Sequence, residues 1–318
     1  MKTNEKITTE YKIKISSNTI IQTEVREWKY ENLDRYREKQ NENLKDNRTR
    51  GLISKASKNK LKKAINWLIM ASENKNAFSM KAKKEFKFKI NFITLTIPPQ
   101  KERLLNEKEV KSCLNTWLTY QRKYSNLNNY VWKIEKHKDK RLHIHITTDT
   151  FIHHKKIKDS WNLILQRAGF LEYHLEKYSN YSPNSTDVHS IKKVKKLAAY
   201  VAKYMAKSNE EDKLYNGRVW ACSLKISKVL NNEIFISPDK IGRFIRPLFN
   251  DKIEHKSIET EPNKFGQKFV VAEMYIMKVK DWISLKGTEL YEYFKEIILF
   301  LRVENRNYRQ SYLSFDIA

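Results

Sequence analysis

The stretch Leu142-His143-Ile144-His145-Ile146-Thr147 decides the fold, because apolar residues alternate along it with two histidines. Strict alternation predicts a half-buried β-strand, and side chains two positions apart on a strand lie on the same face. Two imidazoles on one rigid strand can bind a divalent metal ion from one side. The stretch therefore predicts both a strand of a sheet and part of a metal site.

A second strand is predicted at 130–135, joined to the histidine strand by the charged turn 136–141. If the turn is centred within this segment, Glu135 lies directly across from His143 on the same face of the sheet. A carboxylate there completes a His/His/carboxylate site with positions left for phosphate oxygens and water. The alternative is that Glu135 only pairs with a neighbouring lysine such as Lys133.

Composition indicates a nucleic-acid partner. The 318 residues include 63 Lys and Arg against 37 Asp and Glu, which gives a formal net charge of +26. Such an excess destabilises a compact chain unless a polyanion binds it. The 7 Trp, 17 Tyr and 14 Phe accompany this charge and suit stacking on exposed bases. Ribosomal-type binding explains the charge equally well, so charge alone implies no chemistry.

Cysteine and glycine usage excludes several classes of site. Cys113 and Cys222 are far apart and lack metal-site spacing, which favours a reducing compartment without disulfides or zinc fingers. None of the six glycines precedes a lysine, so no Walker A phosphate loop is expected and a helicase activity is excluded. The start of the chain lacks an apolar signal region, and no run reaches membrane-span length. We therefore expect a soluble intracellular protein without membrane association.

The order of the other patterns predicts an α+β fold, in which a central antiparallel sheet carries helices on one face. The predicted elements are a hairpin within 11–25, strands at 86–97, 130–135, 142–148 and 187–191, and helices at 54–71, 106–124, 157–168 and 195–207. Residues 28–48 read as a solvated helix or basic arm. The predicted divisions are a basic, mostly helical N-terminal extension (1–85), a central domain (86–228) and a mixed C-terminal extension of unknown role (229–318).

The helix predicted at 195–207 carries a second set of candidate residues. Its buried stripe is formed at four-residue spacing by Leu197, Val201 and Met205. Tyr200 and Tyr204 lie one turn apart beside this stripe, and Lys203 and Lys207 lie next to them. A phenol can attack a phosphodiester while an ammonium stabilises the developing charge. The alternative is two amphipathic tyrosines at the edge of a core, but a metal site on the adjacent sheet favours the nucleophiles.

Three stretches in this order resemble the HUH endonucleases that initiate rolling-circle replication. Phe92-Ile93-Thr94-Leu95-Thr96 looks like the first motif of that family, and His143-Ile144-His145 looks like its metal motif. Tyr200-Val201-Ala202-Lys203-Tyr204 is similar to the two-tyrosine helix in initiators of small single-stranded DNA phages, the Microviridae type. The resemblance covers about 86–207 and extends through 217–223.

The resemblance implies an HUH/RRM-like palm and a nicking and rejoining activity. It implies that Mg²⁺ or Mn²⁺ is bound by His143, His145 and Glu135, and that a tyrosine attacks single-stranded origin DNA. Thr94 and Thr96 on the first motif, with Arg141 beside the metal motif, are expected to contact this DNA. A host helicase and a host DNA polymerase are the implied partners, in the cytoplasm of a bacterial host.

Two other functions agree with the same residues. A plasmid relaxase or a transposase shares the chemistry, although paired tyrosines count against single-tyrosine transposases. A non-catalytic single-strand binder accounts for the charge and the aromatic residues but leaves the histidine and tyrosine patterns unexplained. Such a binder would bind DNA in a salt-sensitive way that EDTA does not change.

Overall fold

The structure is a computed structural model in which the chain forms two compact units. It describes residues 8–27, 53–79, 83–101, 107–136, 141–191, 201, 218–231, 234–235, 253–259 and 270–302. We call residues 48–227 with 299–312 the central unit, and residues 1–47, 228–298 and 313–318 the terminal unit.

The described elements alternate between strands and helices along the chain. The strands are β1 (Thr8–Ile15), β2 (Thr19–Glu27), β3 (Lys75–Ser79), β4 (Lys84–Phe88), β5 (Ile90–Thr96), β6 (Tyr130–Lys136), β7 (Leu142–Thr148), β8 (Thr186–Ile191), β9 (Trp220–Cys222), β10 (Ile234–Phe235), β11 (Ile253–Glu259) and β12 (Val270–Lys278). The α-helices are α1 (Lys55–Ala71), α2 (Glu107–Ser125), α3 (His154–Arg167), α4 (Glu172–Tyr178), α5 (Leu224–Leu230) and α6 (Glu289–Arg302). A short 3-10 helix spans Trp282–Leu285.

A five-stranded antiparallel sheet forms the centre of the central unit. Its strand order is β8-β5-β7-β6-β9, so the histidine strand β7 is the middle strand. This arrangement confirms the predicted α+β class with an antiparallel sheet. The central position of the two strands that carry the candidate metal ligands is confirmed as well.

One face of this sheet is apolar and packs on α2 and α3. Alternate residues of each strand face the helices because strand side chains point to opposite faces in turn. The buried side chains of this face and of the two helices include Ile93, Leu95, Trp132, Ile134, Ile144, Ile146, Leu114, Trp117, Ile157 and Trp161. The indole of Trp161 also donates a hydrogen bond of 3.1 Å to the carbonyl of Thr96, which ties α3 to the end of β5.

Element boundaries differ from the prediction at two places. The strand predicted at 86–97 is two strands, β4 and β5, and β4 pairs with β3 in a separate hairpin instead of joining the main sheet. Helix α3 begins at His154 rather than at 157, because His153 caps it: its Nδ1 accepts a hydrogen bond from the amide of Lys155. Both His153 and His154 are exposed, as predicted.

The helices of the described ranges are all of ordinary length. The longest, α2, has 19 residues and a charged outer face. No helix in the described part of the chain is both long enough and apolar enough to span a membrane.

The terminal unit contains a second five-stranded sheet, with the order β10-β1-β2-β12-β11. The hairpin predicted within 11–25 is confirmed as β1 and β2, and β2 pairs along its length with β12. The prediction instead treated 1–85 and 229–318 as two separate extensions, the first mostly helical. The two ends share a sheet because an isolated hairpin is at best marginally stable in water and gains further strands by pairing.

Candidate functional site

The register of three strands brings six polar side chains onto the second face of the central sheet. We call this the site face, and it comprises Thr94, Thr96, Lys133, Glu135, His143 and His145. His143 is opposite Glu135 on one side and Thr96 on the other. The predicted pairing of Glu135 with His143 is therefore confirmed. The turn at 137–140, which includes His137, lies outside the described residues.

Glu135 contacts two cationic or potentially cationic groups with the same oxygen. Its Oε2 lies 3.2 Å from Nε2 of His145 and 3.8 Å from Nζ of Lys133. The side chains of Glu135 and His145 are 16% and 20% exposed, so the contact is shielded but within reach of solvent. Both proposed roles of Glu135 are therefore compatible with the structure, because it faces the histidines and pairs with Lys133.

The two threonines of β5 contact the second nitrogen of each histidine. Thr94 Oγ1 lies 3.2 Å from Nδ1 of His145, and Thr96 Oγ1 lies 3.4 Å from Nδ1 of His143. A metal-binding histidine commonly has its other ring nitrogen held by an outer hydrogen-bonding group, which sets the ring orientation. The threonines supply such groups here, and their predicted contact with DNA stays a prediction.

An aromatic ring restrains His145 further. The ring of Phe92 stacks on the imidazole with centroids 5.3 Å apart and an angle of 22° between the planes. The imidazoles of His143 and His145 have centroids 6.2 Å apart. Arg141, the third predicted DNA contact, is half-buried directly before β7. The site face is thus built on rigid strands, which position side chains more accurately than loops.

The donor set suits a divalent cation, although the side chains do not surround one as they lie. Two neutral imidazoles and one carboxylate are ligands that Mn²⁺ accepts, and they leave coordination positions for water or phosphate. Within the described residues, no group of three His, Cys, Asp or Glu side chains is arranged so that it could hold a metal ion. Glu135 would have to exchange its contact with His145 for a contact with the metal. The residues fit the metal by their chemistry and by the threonines behind the rings.

The four residues predicted on the tyrosine helix lie outside the described residues. These are Tyr200, Lys203, Tyr204 and Lys207. Val201, which the structure does describe, is helical and only 1% exposed. The predicted buried position of Val201 is therefore confirmed, while the roles of the tyrosines and lysines stay predictions.

His189 is on the same sheet but forms a different interaction. It lies on the edge strand β8, its side chain is 68% exposed, and its Nε2 is 2.6 Å from Oδ2 of Asp187. An exposed ion pair of this kind contributes little to stability. The alternative that His189 approaches the metal ligands has no contact to support it in the structure.

The strand β9 and the burial of Lys133 were not predicted. Lys133 is 1% exposed and lies opposite Trp220 of β9. The indole of Trp220 donates a hydrogen bond of 2.7 Å to Ser57 Oγ, so α1 packs beside the site face. The apolar neighbours Trp132 and Ile134 were the available signal that the strand, with its lysine, is buried.

The thiol of Cys222 offers a test of the packing of β9 against α1. Burial raises the pKa of Cys222 to about 11 from its ordinary value of 9.0, although Lys60 and Arg218 lower it in part. Because only the thiolate is alkylated, Cys222 should react about 100-fold more slowly in the folded than in the unfolded protein at pH 8. Mass spectrometry of the Cys222 peptide after timed iodoacetamide treatment measures this ratio, and equal rates would contradict the packing of β9.

The sheet that carries the candidate site lies mostly within one region of family similarity. Residues 90–209 match the family model of the replication-associated protein ORF2. The match covers less than half of the 318 residues, yet it contains every residue predicted for the site, from Thr94 to Lys207. It supports a rolling-circle replication initiator family, and hence a role in DNA replication and DNA binding. No curated protein and no solved structure gives a significant match.

Proposed function

We propose that the central unit nicks and rejoins single-stranded DNA at a replication origin. The observation that carries the proposal is the placement of Glu135, His143 and His145 on one face of adjacent strands within the matched region. The family match supports replication, and the side chains on the site face support chemistry on a phosphodiester. The proposed setting is the cytoplasm of a bacterial host, with a host helicase opening the duplex and a host polymerase extending the nick.

The proposed nucleophiles are the two tyrosines of the helix that contains Val201. The phenol oxygen of Tyr200 or Tyr204 forms a bond to the scissile phosphorus, and the bond from phosphorus to the 3′-oxygen breaks. The products are a 5′-phosphotyrosine and a 3′-hydroxyl that takes up the proton and primes synthesis. The second tyrosine repeats the reaction at the regenerated origin, and the released 3′-hydroxyl attacks the first phosphotyrosine to close the circle.

The site face and the tyrosine helix would each stabilise charge in this reaction. Mg²⁺ or Mn²⁺ bound by His143, His145 and Glu135 would supply a Lewis acid for the phosphate oxygens. Lys203 and Lys207, one turn apart in sequence, would stabilise the phenolate and the phosphate. Thr94 and Thr96 hold the imidazole rings, so the ligands need little reorganisation.

Exposed aromatic residues near one end of the sheet support binding of a single strand. Tyr178 and Tyr181 are 55% and 39% exposed, and Nζ of Lys177 lies 5.3 Å from the ring centre of Tyr178. The segment that follows them returns to the sheet, where the carbonyl of Ser185 accepts a 2.8 Å hydrogen bond from the amide of Thr96. Bases stack on such rings without sequence preference, while nearby cations attract the backbone.

The test is a covalent adduct. The full-length protein is incubated with random single-stranded oligonucleotides and Mn²⁺, and the modified peptide is identified by mass spectrometry. The proposal expects a nucleotide adduct on Tyr200 or Tyr204 that EDTA prevents and added Mn²⁺ restores. An adduct on another residue contradicts the proposed nucleophiles. Salt-sensitive binding that is indifferent to EDTA and gives no adduct indicates a non-catalytic single-strand binder.

A relaxase or a transposase remains the alternative with the same chemistry. It predicts the same adduct but a different substrate, since a relaxase or a transposase acts at a transfer origin or at transposon ends. Cleavage mapped on the genome that encodes the protein distinguishes the two. Cutting at a replication origin supports the initiator, and cutting confined to a transfer origin or transposon ends contradicts it.

A further inference from the structure

Lys133 is a charged side chain in a place where the fold needs only an apolar one. It is 1% exposed on β6, between the buried neighbours Trp132 and Ile134. Its strand partners are His145 on β7 and Trp220 on β9. Burying an ammonium group is costly unless a partner compensates its charge, and an apolar side chain of the same size avoids that cost. The retained charge therefore points to a role on the site face.

The carboxylate beside Lys133 is the one proposed to bind the metal. Glu135 Oε2 lies 3.8 Å from Lys133 Nζ and 3.2 Å from Nε2 of His145. A divalent cation bound to this oxygen would share it with the ammonium group of Lys133. Two positive charges so close to one another repel strongly in a partly buried site.

We propose that Lys133 opposes divalent-cation binding at Glu135, His143 and His145 until single-stranded DNA reaches the site face. The inference rests on the proposed function, because it concerns the same metal ligands. With neutral histidines, the carboxylate offsets Lys133 and leaves the charge of the cation uncompensated. The scissile phosphate and the attacking phenolate supply the missing negative charge, so DNA and cation bind more tightly together than separately.

The first test is Mn²⁺ binding without DNA. Electron paramagnetic resonance of free Mn²⁺ is used to titrate the full-length wild type and Lys133→Met, which removes the charge and keeps a long apolar side chain. We expect Lys133→Met to bind Mn²⁺ at least about tenfold more tightly, because one repelling charge is gone. Lys136→Met is the matched control: it removes the same charge from the same strand, but alternation places it on the opposite face from Lys133. Its Mn²⁺ affinity should equal that of the wild type.

The second test adds a single-stranded oligodeoxynucleotide of mixed sequence to the same titration. We expect the oligonucleotide to tighten Mn²⁺ binding several-fold in the wild type and less in Lys133→Met. Equal tightening in both proteins overturns the coupling to DNA. Circular dichroism confirms the fold of each variant, and Lys133→Gln replaces Lys133→Met if the latter does not fold.

The outcomes separate this inference from the proposed function. Unchanged or weaker Mn²⁺ binding in a folded Lys133→Met or Lys133→Gln variant overturns the inference, since a purely structural lysine would not oppose the metal. Absence of Mn²⁺ binding in all of these proteins overturns it as well, by removing the cation site. Tighter binding in the variant without any tyrosine adduct in the nicking experiment supports the role of Lys133 and contradicts the proposed function.

Discussion

Replacement of both Tyr200 and Tyr204 by phenylalanine is expected to abolish the covalent adduct and to lower nicking by at least about 10³-fold. Phenylalanine keeps the ring but lacks the oxygen that would bond to phosphorus, so the proposed reaction has no nucleophile left. Each single variant should keep an adduct, on the tyrosine that remains. Gel analysis of nicked oligonucleotides and mass mapping of the protein measure both effects.

The matched control for this variant lies on α2. Tyr120 and Tyr124 are also one helical turn apart, are 39% and 52% exposed, and have ring centroids 4.6 Å apart. Helix α2 packs on the apolar face of the sheet, opposite the site face. The double Tyr120→Phe, Tyr124→Phe variant should nick like the wild type. An adduct that persists in Tyr200→Phe, Tyr204→Phe would show that another residue is the nucleophile.

Replacement of His145 by alanine is expected to lower Mn²⁺-dependent nicking by about 10³-fold, which corresponds to about 4 kcal/mol of lost stabilisation. His145 contacts Glu135 and stacks on Phe92, so its removal takes away one ligand and frees a second. We expect His143→Ala to have an effect of similar size. Nicking rates measured against Mn²⁺ concentration test the prediction.

His189→Ala is the control for the histidine variants. This imidazole is on the same sheet, but it is exposed and pairs with Asp187 rather than with the site face. Its removal should leave nicking within about twofold of the wild type, as for surface substitutions in general. If His145→Ala, shown to be folded by circular dichroism, still nicks at the wild-type rate, the proposed metal ligands are wrong.

Much of the site geometry was predictable from local pattern. The alternation around His143 and His145 predicts a strand with both rings on one face, and the short charged turn before it predicts an antiparallel partner. These two rules place Glu135 opposite His143, and the structure has this register. The prediction succeeded because β6 and β7 are neighbours in sequence, so only the length of the turn had to be read correctly.

Contacts between distant segments could not be predicted in the same way. The threonine contacts with the histidines require β5 to pair with β7, about 50 residues later in the chain, in one particular register. Nothing in the pattern around Trp220 indicates that β9 lies opposite Lys133. Hydrophobic periodicity describes which face of an element is buried, but it does not specify the partner that buries it.

The sequence by itself determined the identity of the candidate ligands and their common face, because strand alternation and turn length are local properties. The tertiary structure decided the surroundings of those ligands. It placed a threonine behind each imidazole and a buried lysine beside Glu135, and it joined the two ends of the chain in one sheet. Each of these outcomes depends on packing between segments far apart in the chain, whose partners no local periodicity encodes.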